Sequence, residues 1–213
     1  MNRRDFLKGA GAAAIVPAAI PGVIWNPRSY SANSIAAPAV SPTFPQISAV
    51  VYDERYADCR LFADALVRHG AIAFPAHSDS AQLWYGQLRD HLARHPGRVA
   101  GFTTYADFSV SQSCGRELSL ITLYEAAHDS RASRTVLTHR LRTTGDETEI
   151  AASFTSSALP WAESLANALC RVPSARDSVI RNSSTVTTPR SRSYPGYLNS
   201  WLLAPRQLSF VGA

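Results

Sequence analysis

Three aspartates stand where short apolar runs end: Asp53 after Ile47–Tyr52, Asp79 soon after Ala71–Pro75, and Asp107 after Val99–Thr104. If those runs are strands of one parallel sheet, the carboxylates gather at the strands' carboxyl ends, where such sheets bind ligands. Converging carboxylates hold a hard cation or work as an acid/base pair. The plainer alternative is capping, since Asp is a favoured helix N-cap worth about 1 kcal/mol. Asp79-Ser80 has that look; Asp53 has the stronger claim to chemistry, because Glu54 and Arg55 beside it make a charged tip on a buried strand. His77 falls on the same rim, where an imidazole serves as acid, base or ligand. Thr103, Thr104 and Tyr105 add hydroxyl donors suited to a phosphate or carboxylate. Asp53, His77 and Asp107 are therefore the candidate catalytic residues, and Thr103, Thr104 and Tyr105 the candidate ligand-binding set. An exposed loop histidine and ordinary turn hydroxyls compete with those assignments.

Two other constellations are weaker. His91 and His95 lie four apart on one expected helix, a metal-gripping spacing, but Leu92 stands where the zinc-protease pattern has its Glu. Solvated histidines in a helix's last turn explain the pair better, and no metal site is assigned. Cys114 near the start of an expected helix, with Arg116 after it, has the setting of an activated thiol. No G-x-S-x-G nucleophile elbow occurs. Lys8 is the sole lysine, so the chain beyond it has no Schiff-base, P-loop or Ser-Lys chemistry. Cys59, Cys114 and Cys170 are far apart in sequence, excluding a CxxC redox pair. Their apolar neighbours favour burial over a disulfide.

The elements that would position these residues alternate. Strands are expected at Ile47–Tyr52, Ala71–Pro75, Val99–Thr104 and Thr135–Leu141. Helices are expected at Tyr56–His69, Ala81–His95, about Ser111–Ala127 and about Ser157–Arg171, with a polar loop over 142–149. That order predicts a three-layer α/β domain with a mostly parallel sheet and helices on both faces, flavodoxin-like or Rossmann-like in shape. The domain is expected over 47–178. Residues 179–213 read as a C-terminal loop followed by an edge strand or docking tail, with Asn182–Ser193 as the loop and Tyr197–Leu203 as the strand.

The N-terminus is of another kind. Asn2-Arg3-Arg4-Asp5-Phe6-Leu7-Lys8 resembles the twin-arginine signal pattern, Ser/Thr-Arg-Arg-x-Phe-Leu-Lys, departing from it only where Asn2 replaces a hydroxyl residue. The run from Gly9 to Ile24 is mildly apolar and broken by Pro17 and Pro21, too soft for a permanent membrane span. Small-x-small sequences end at Ala36 and at Ala39, giving a signal over 1–36 and a Pro- and Ser-rich linker over 37–46. Gly9-Ala10-Gly11-Ala12-Ala13-Ala14 imitates a dinucleotide-binding turn, but no strand precedes it. Arg3, Arg4, Phe6, Leu7 and Lys8 are the candidate translocation residues. The resemblance implies recognition by the Tat translocase and a folded passenger delivered to the periplasm.

Charge follows from this division. The whole chain carries 21 basic and 16 acidic residues; without residues 1–36 the balance is 17 to 15, or +2, which gives no case for nucleic acid. Two functions are then in view: a periplasmic binding or accessory protein, such as a small subunit of a redox enzyme with a protein partner there, or a periplasmic hydrolase using Asp53, His77, Thr104 and Asp107. No cofactor is specified by the sequence.

Overall fold

A computed structural model describes residues 46–76, 79–155, 158–173, 180, 182–189 and 196–206, within the compact unit Ser41–Ala213. The first part of the chain folds as the alternation predicts. Strand β1 (Ile47–Tyr52) leads into helix α1 (Ala57–Arg68), and Gly70, at φ +93°, stops that helix before β2 (Ile72–Pro75). Asp79 caps the short helix α2 (Ser80–Leu83) by accepting from the Gln82 amide at 2.9 Å. A π-helical turn, Trp84–Leu88, joins α2 to α3 (Arg89–Arg94). Strand β3 (Arg98–Thr103) and helix α4 (Tyr105–Glu117) follow.

From there the expectation of a mostly parallel, flavodoxin-like or Rossmann-like sheet fails. The helix expected to reach Ala127 ends at Glu117, with Ser119 at φ +59°, and Leu120–Asp129 is a ten-residue strand, β4. A bulge explains the misreading. Thr122 pairs with Leu203 and Tyr124 with Leu202, so Leu123 is extra in the ladder. The extra residue breaks the two-residue alternation and gives Leu120, Ile121, Leu123 and Tyr124 a helix-like spacing. The chain returns through β5 (Val136–Thr143), α5 (Glu147–Thr155), α6 (Trp161–Arg171), β6 (Asn182–Pro189) and β7 (Tyr197–Pro205).

The result is a seven-stranded mixed sheet in the order β2-β1-β3-β7-β4-β5-β6. Only β2-β1-β3 pair in parallel; every pairing from β3 through β7 to β6 is antiparallel. Two further expectations are corrected. The Ser/Thr-rich stretch read as a loop is strand β6, and the tail segment read as an edge strand or docking tail is β7, in the middle of the sheet between β3 and β4. Leu198 through Ala204 are buried along it, as fits a strand covered on both faces.

Two apolar layers flank the sheet. On one face α1, α5 and α6 bury Phe62, Leu66, Phe154 and Leu165 against Phe102, Tyr124 and Leu202. On the other, the Trp84–Leu88 turn and α4 bury Trp84, Leu88 and Phe108 against Val99, Trp201 and Leu203. Trp201 lies directly over Gly101, where any Cβ would come within 2.0 Å of its ring. Arg98, 1 % exposed, ties the start of β3 to the end of α6: its Nη1 donates to the Val172 carbonyl at 2.6 Å and its Nη2 to the Cys170 carbonyl at 3.0 Å. A cation at a helix C-terminus is also favoured by the helix dipole.

Candidate functional site

Strands β1, β3 and β4 run in one sense, so residues following them meet on one rim of the sheet. Asp53 is there, 1 % exposed, with its amide donating to the Phe102 carbonyl at 3.0 Å. Its carboxylate is taken up by its neighbour: the Arg55 amide and Nε donate to Oδ1 at 3.1 and 2.9 Å, and Nη2 to Oδ2 at 2.6 Å. Through these bonds and its charge, Asp53 holds the Arg55 guanidinium above its ordinary range; Asp107 adds to the same effect.

Asp107 lies in the first turn of α4, whose N-cap is Thr104. The Asp107 amide donates to Thr104 Oγ1 at 3.3 Å, and Thr104 Oγ1 donates to Asp107 Oδ2 at 2.6 Å. Thr104 is thus an ordinary side-chain N-cap, whose hydroxyl also holds the Asp107 carboxylate. The Ser80 hydroxyl, 6 % exposed, donates to Oδ1 of the same carboxylate. Thr103 is fully buried; its hydroxyl accepts from Trp201 Nε1 at 3.3 Å and donates to the Thr104 carbonyl at 3.2 Å. Tyr105 is exposed. The structure thus brings Asp53, Thr104 and Asp107 to one rim, with Thr103 beneath and Tyr105 outside. His77 lies outside the described residues, as do Arg3, Arg4, Phe6, Leu7 and Lys8.

The secondary candidates change character. Cys114 sits in the last turn of α4, not at a helix start, so the dipole opposes a thiolate, and burial raises its pKa. Cys59 is pushed well up by burial and then by Asp53. His91 is 8 % exposed, with its Nε2 bonded to the Ser48 carbonyl at 3.0 Å.

One feature escaped sequence reasoning. His128 of β4 and His139 of β5 face each other across the ladder, both 0 % exposed, with Nδ1 to Nδ1 at 2.7 Å. His128 Nε2 meets Ser200 Oγ at 2.7 Å, Ser200 meets the Tyr124 hydroxyl at 3.0 Å, and His139 Nε2 meets Thr188 Oγ1 at 2.7 Å. Phe102, Phe154 and Trp161 pack around the two rings. Donor and acceptor counting allows the three histidine contacts two consistent directions. Either Tyr124 donates to Ser200, Ser200 to His128, His128 to His139 and His139 to Thr188, or the three histidine bonds are reversed and the Tyr124–Ser200 bond runs either way. Burial, and then the neighbouring His139, holds His128 well below its ordinary pKa; burial pushes His139 down to about 3. Both rings are therefore neutral at ordinary pH. The available signal was the pair of histidines in two consecutive alternating segments.

A groove of about 650 Å³ runs between α4 and the outer strands, with Arg116, Arg142, Arg206, Gln112 and Glu125 over a floor that includes Leu120 and Leu203. Glu125 is held by Arg142 at 2.7 Å and by Gln112 at 3.3 Å. Beside the groove, Arg140 and Arg142 of β5 and Ser183, Thr185 and Thr187 of β6 are exposed.

Compared with known families, residues 1–19 match the twin-arginine translocation pathway signal sequence. The chain carries a Tat signal. As a Tat passenger it is handled by the Tat translocase and exported across a membrane, and no helix among the described residues is long and apolar enough to cross one. Neither curated proteins nor solved structures gave a match.

Proposed function

We propose that this Tat passenger is a periplasmic binding or accessory protein without catalysis of its own, and that it engages a polar ligand or partner. The observation that carries this reading is the occupation of the rim carboxylates. Both Asp53 oxygens rest on Arg55, and both Asp107 oxygens accept from hydroxyls. A general base needs a lone pair within reach of its substrate; Asp53 is buried on Arg55, and each Asp107 oxygen already serves a hydroxyl of the fold. The α4/β4 groove offers three guanidinium groups against one carboxylate, a setting for an anionic or strongly polar surface. Exposed large apolar side chains among the described residues are Val67, Ile72, Tyr85, Tyr105 and Leu159, on five different segments. A permanent subunit interface is usually broad and apolar, so association with a periplasmic redox enzyme would take a polar, separable form. The folded unit would follow a signal over 1–36 and a linker over 37–46.

The test is recovery of the tagged full-length product from the periplasm at low salt, followed by native mass spectrometry. A bound molecule or partner at fixed stoichiometry is expected; a bare chain in every preparation would refute the reading.

A periplasmic hydrolase is the second reading, favoured by the buried Ser80 hydroxyl on Asp107 at the same rim as Asp53 and Thr104. His77 would be its acid or base, and Thr104 and Tyr105 would line its ligand side, with Thr103 supporting them from beneath. Asp53→Ala and His77→Ala, screened on esters and phosphoesters, decide it: unchanged turnover in both variants removes it.

A further inference from the structure

The Asp53–Arg55 turn has a twin. At the end of β4, on the same rim, Asp129-Ser130-Arg131 repeats its geometry bond for bond. The Arg131 amide and Nε donate to Asp129 Oδ1, both at 2.9 Å, and Nη2 donates to Oδ2 at 2.8 Å. Each arginine also lies over a tyrosine ring, Arg55 over Tyr56 at 5.4 Å and Arg131 over Tyr197 at 4.6 Å. In both turns a carboxylate fixes the guanidinium while leaving its side chain 66 % exposed. An arginine held in this way presents its remaining N–H groups in a fixed direction, which lowers the ordering cost of gripping an oxyanion.

The surroundings of the twins differ in sign. Arg55 has Glu54 next to it and feels Asp107 as well as Asp53, so its end of the rim is acidic. Arg131 opens instead on a concavity of about 390 Å³ lined by Ser130, Arg131, Ala132, Ser133, Arg134 and Gly196. Asp129 neutralises Arg131, and its own carboxyl is drawn down to about 2 by the Arg131 hydrogen bonds. Arg134 has no ion-pair partner among the described residues, so the concavity keeps a net positive charge. Ser130, 2 % exposed, belongs to the same wall and its hydroxyl has no hydrogen-bond partner, an arrangement that costs stability unless something polar satisfies it. Gly196, at φ +104°, passes close to the Arg131 stem and closes the wall, with its carbonyl accepting from the Ser130 amide at 2.8 Å.

We infer that the β4–β5 turn is an oxyanion subsite, in which Arg131 and Arg134 bind a tetrahedral oxyanion, either inorganic phosphate or the phosphate of a monoester, against the wall that holds the unpartnered Ser130 hydroxyl. Two guanidinium groups carry more N–H donors than the two oxygens of a carboxylate can use, and a tetrahedral oxyanion offers more acceptors to them. The inference stands on this turn alone and is indifferent to whether the rim at Asp53 binds or hydrolyses.

The test is calorimetric titration of the exported protein with inorganic phosphate, with glycerol phosphate and with acetate, at low and high salt. Saturable binding of one or both phosphates over acetate is expected, weakening with salt; tighter glycerol phosphate identifies a monoester, and equal affinities identify the free ion. Arg134→Gln, at an exposed side chain, should lower the affinity roughly fivefold, the size expected for an exposed charge contact. Arg131→Gln should lower it further, and Arg55→Gln at the acidic twin should leave it unchanged. The inference is overturned by no saturable phosphate binding, by equal binding of acetate, by unaltered affinity in Arg134→Gln, or by an equal loss in Arg55→Gln. Unchanged melting of Arg134→Gln, and an Arg55→Gln variant that is destabilised but still folded at the titration temperature, keep those outcomes readable.

Discussion

Acid should weaken this protein through His128 and His139, two rings enclosed where no water reaches them. In the unfolded chain each histidine takes up its proton near the ordinary value of about 6.5. In the folded protein both are held below it, His139 down to about 3. As pH falls below about 6.5 the unfolded state therefore binds protons that the folded state refuses, and stability drops. The full stability is present above about 6.5, and the loss continues until the folded pair itself protonates. One pKa unit corresponds to about 1.36 kcal/mol, so at pH 5 the cost is about 2 kcal/mol for His139, with His128 adding in the same direction. This figure depends mainly on the unfolded value, because any folded value more than about one unit below the working pH gives nearly the same result. The facing Nδ1 atoms add a limit: at 2.7 Å they hold one proton between them, not two. The assay is urea unfolding between about pH 7.5 and 5, comparing wild type with His128→Gln/His139→Gln. The double variant should be less stable at neutral pH, through its lost network, but its stability should fall more gently with acid. The lowered Asp129 carboxyl contributes only nearer pH 4 and below, outside that window. Parallel pH profiles for wild type and the double variant would refute the reasoning.

Arg3→Lys/Arg4→Lys should leave most of the product in the cytoplasm, read by fractionation and blotting; an undiminished exported pool would contradict the role of the signal. Gly101→Ala should cost about 3 kcal/mol, because its Cβ meets the Trp201 ring at 2.0 Å and the core has no room to yield; a melting curve measures it. Arg98→Met should strip the Val172 and Cys170 carbonyls of their donor. A loss of about 2 kcal/mol is expected, net of the relief from burying a charge, and hydrogen exchange should speed first at the end of α6.

The sequence carried the first half of the fold because local signals there agree. Gly70 stops α1, Asp79 caps α2, and uninterrupted apolar runs make β1 and β3. It misled where a single inserted residue altered the period: the bulge at Leu123 made β4 look helical, and the parallel-sheet expectation rested on that reading. Strand β6 was hidden differently, since its Ser and Thr residues are a solvated sheet face rather than a loop. The rim followed from strand ends, so Asp53, Thr104 and Asp107 were found together. That Arg55 and Ser80 already occupy their carboxylates is a matter of side-chain geometry that spacing does not encode. The histidine pair was illegible for the same reason as the sheet. Their meeting depends on the register of β4 against β5.

The place of β7 has a consequence for the order of events in the cell. It is the last of the described strands in the chain, yet β3 and β4 can join only through it. During synthesis the two halves of the sheet must wait with facing edges bare, exposed to mispairing with other chains. The sheet can close only after β7 has emerged, so its completion comes late, after β1 through β6 have all been made. An export route that accepts finished bodies rather than threading nascent ones suits such a chain, and a stop codon that removed β7 would leave the signal intact on cargo that cannot be completed.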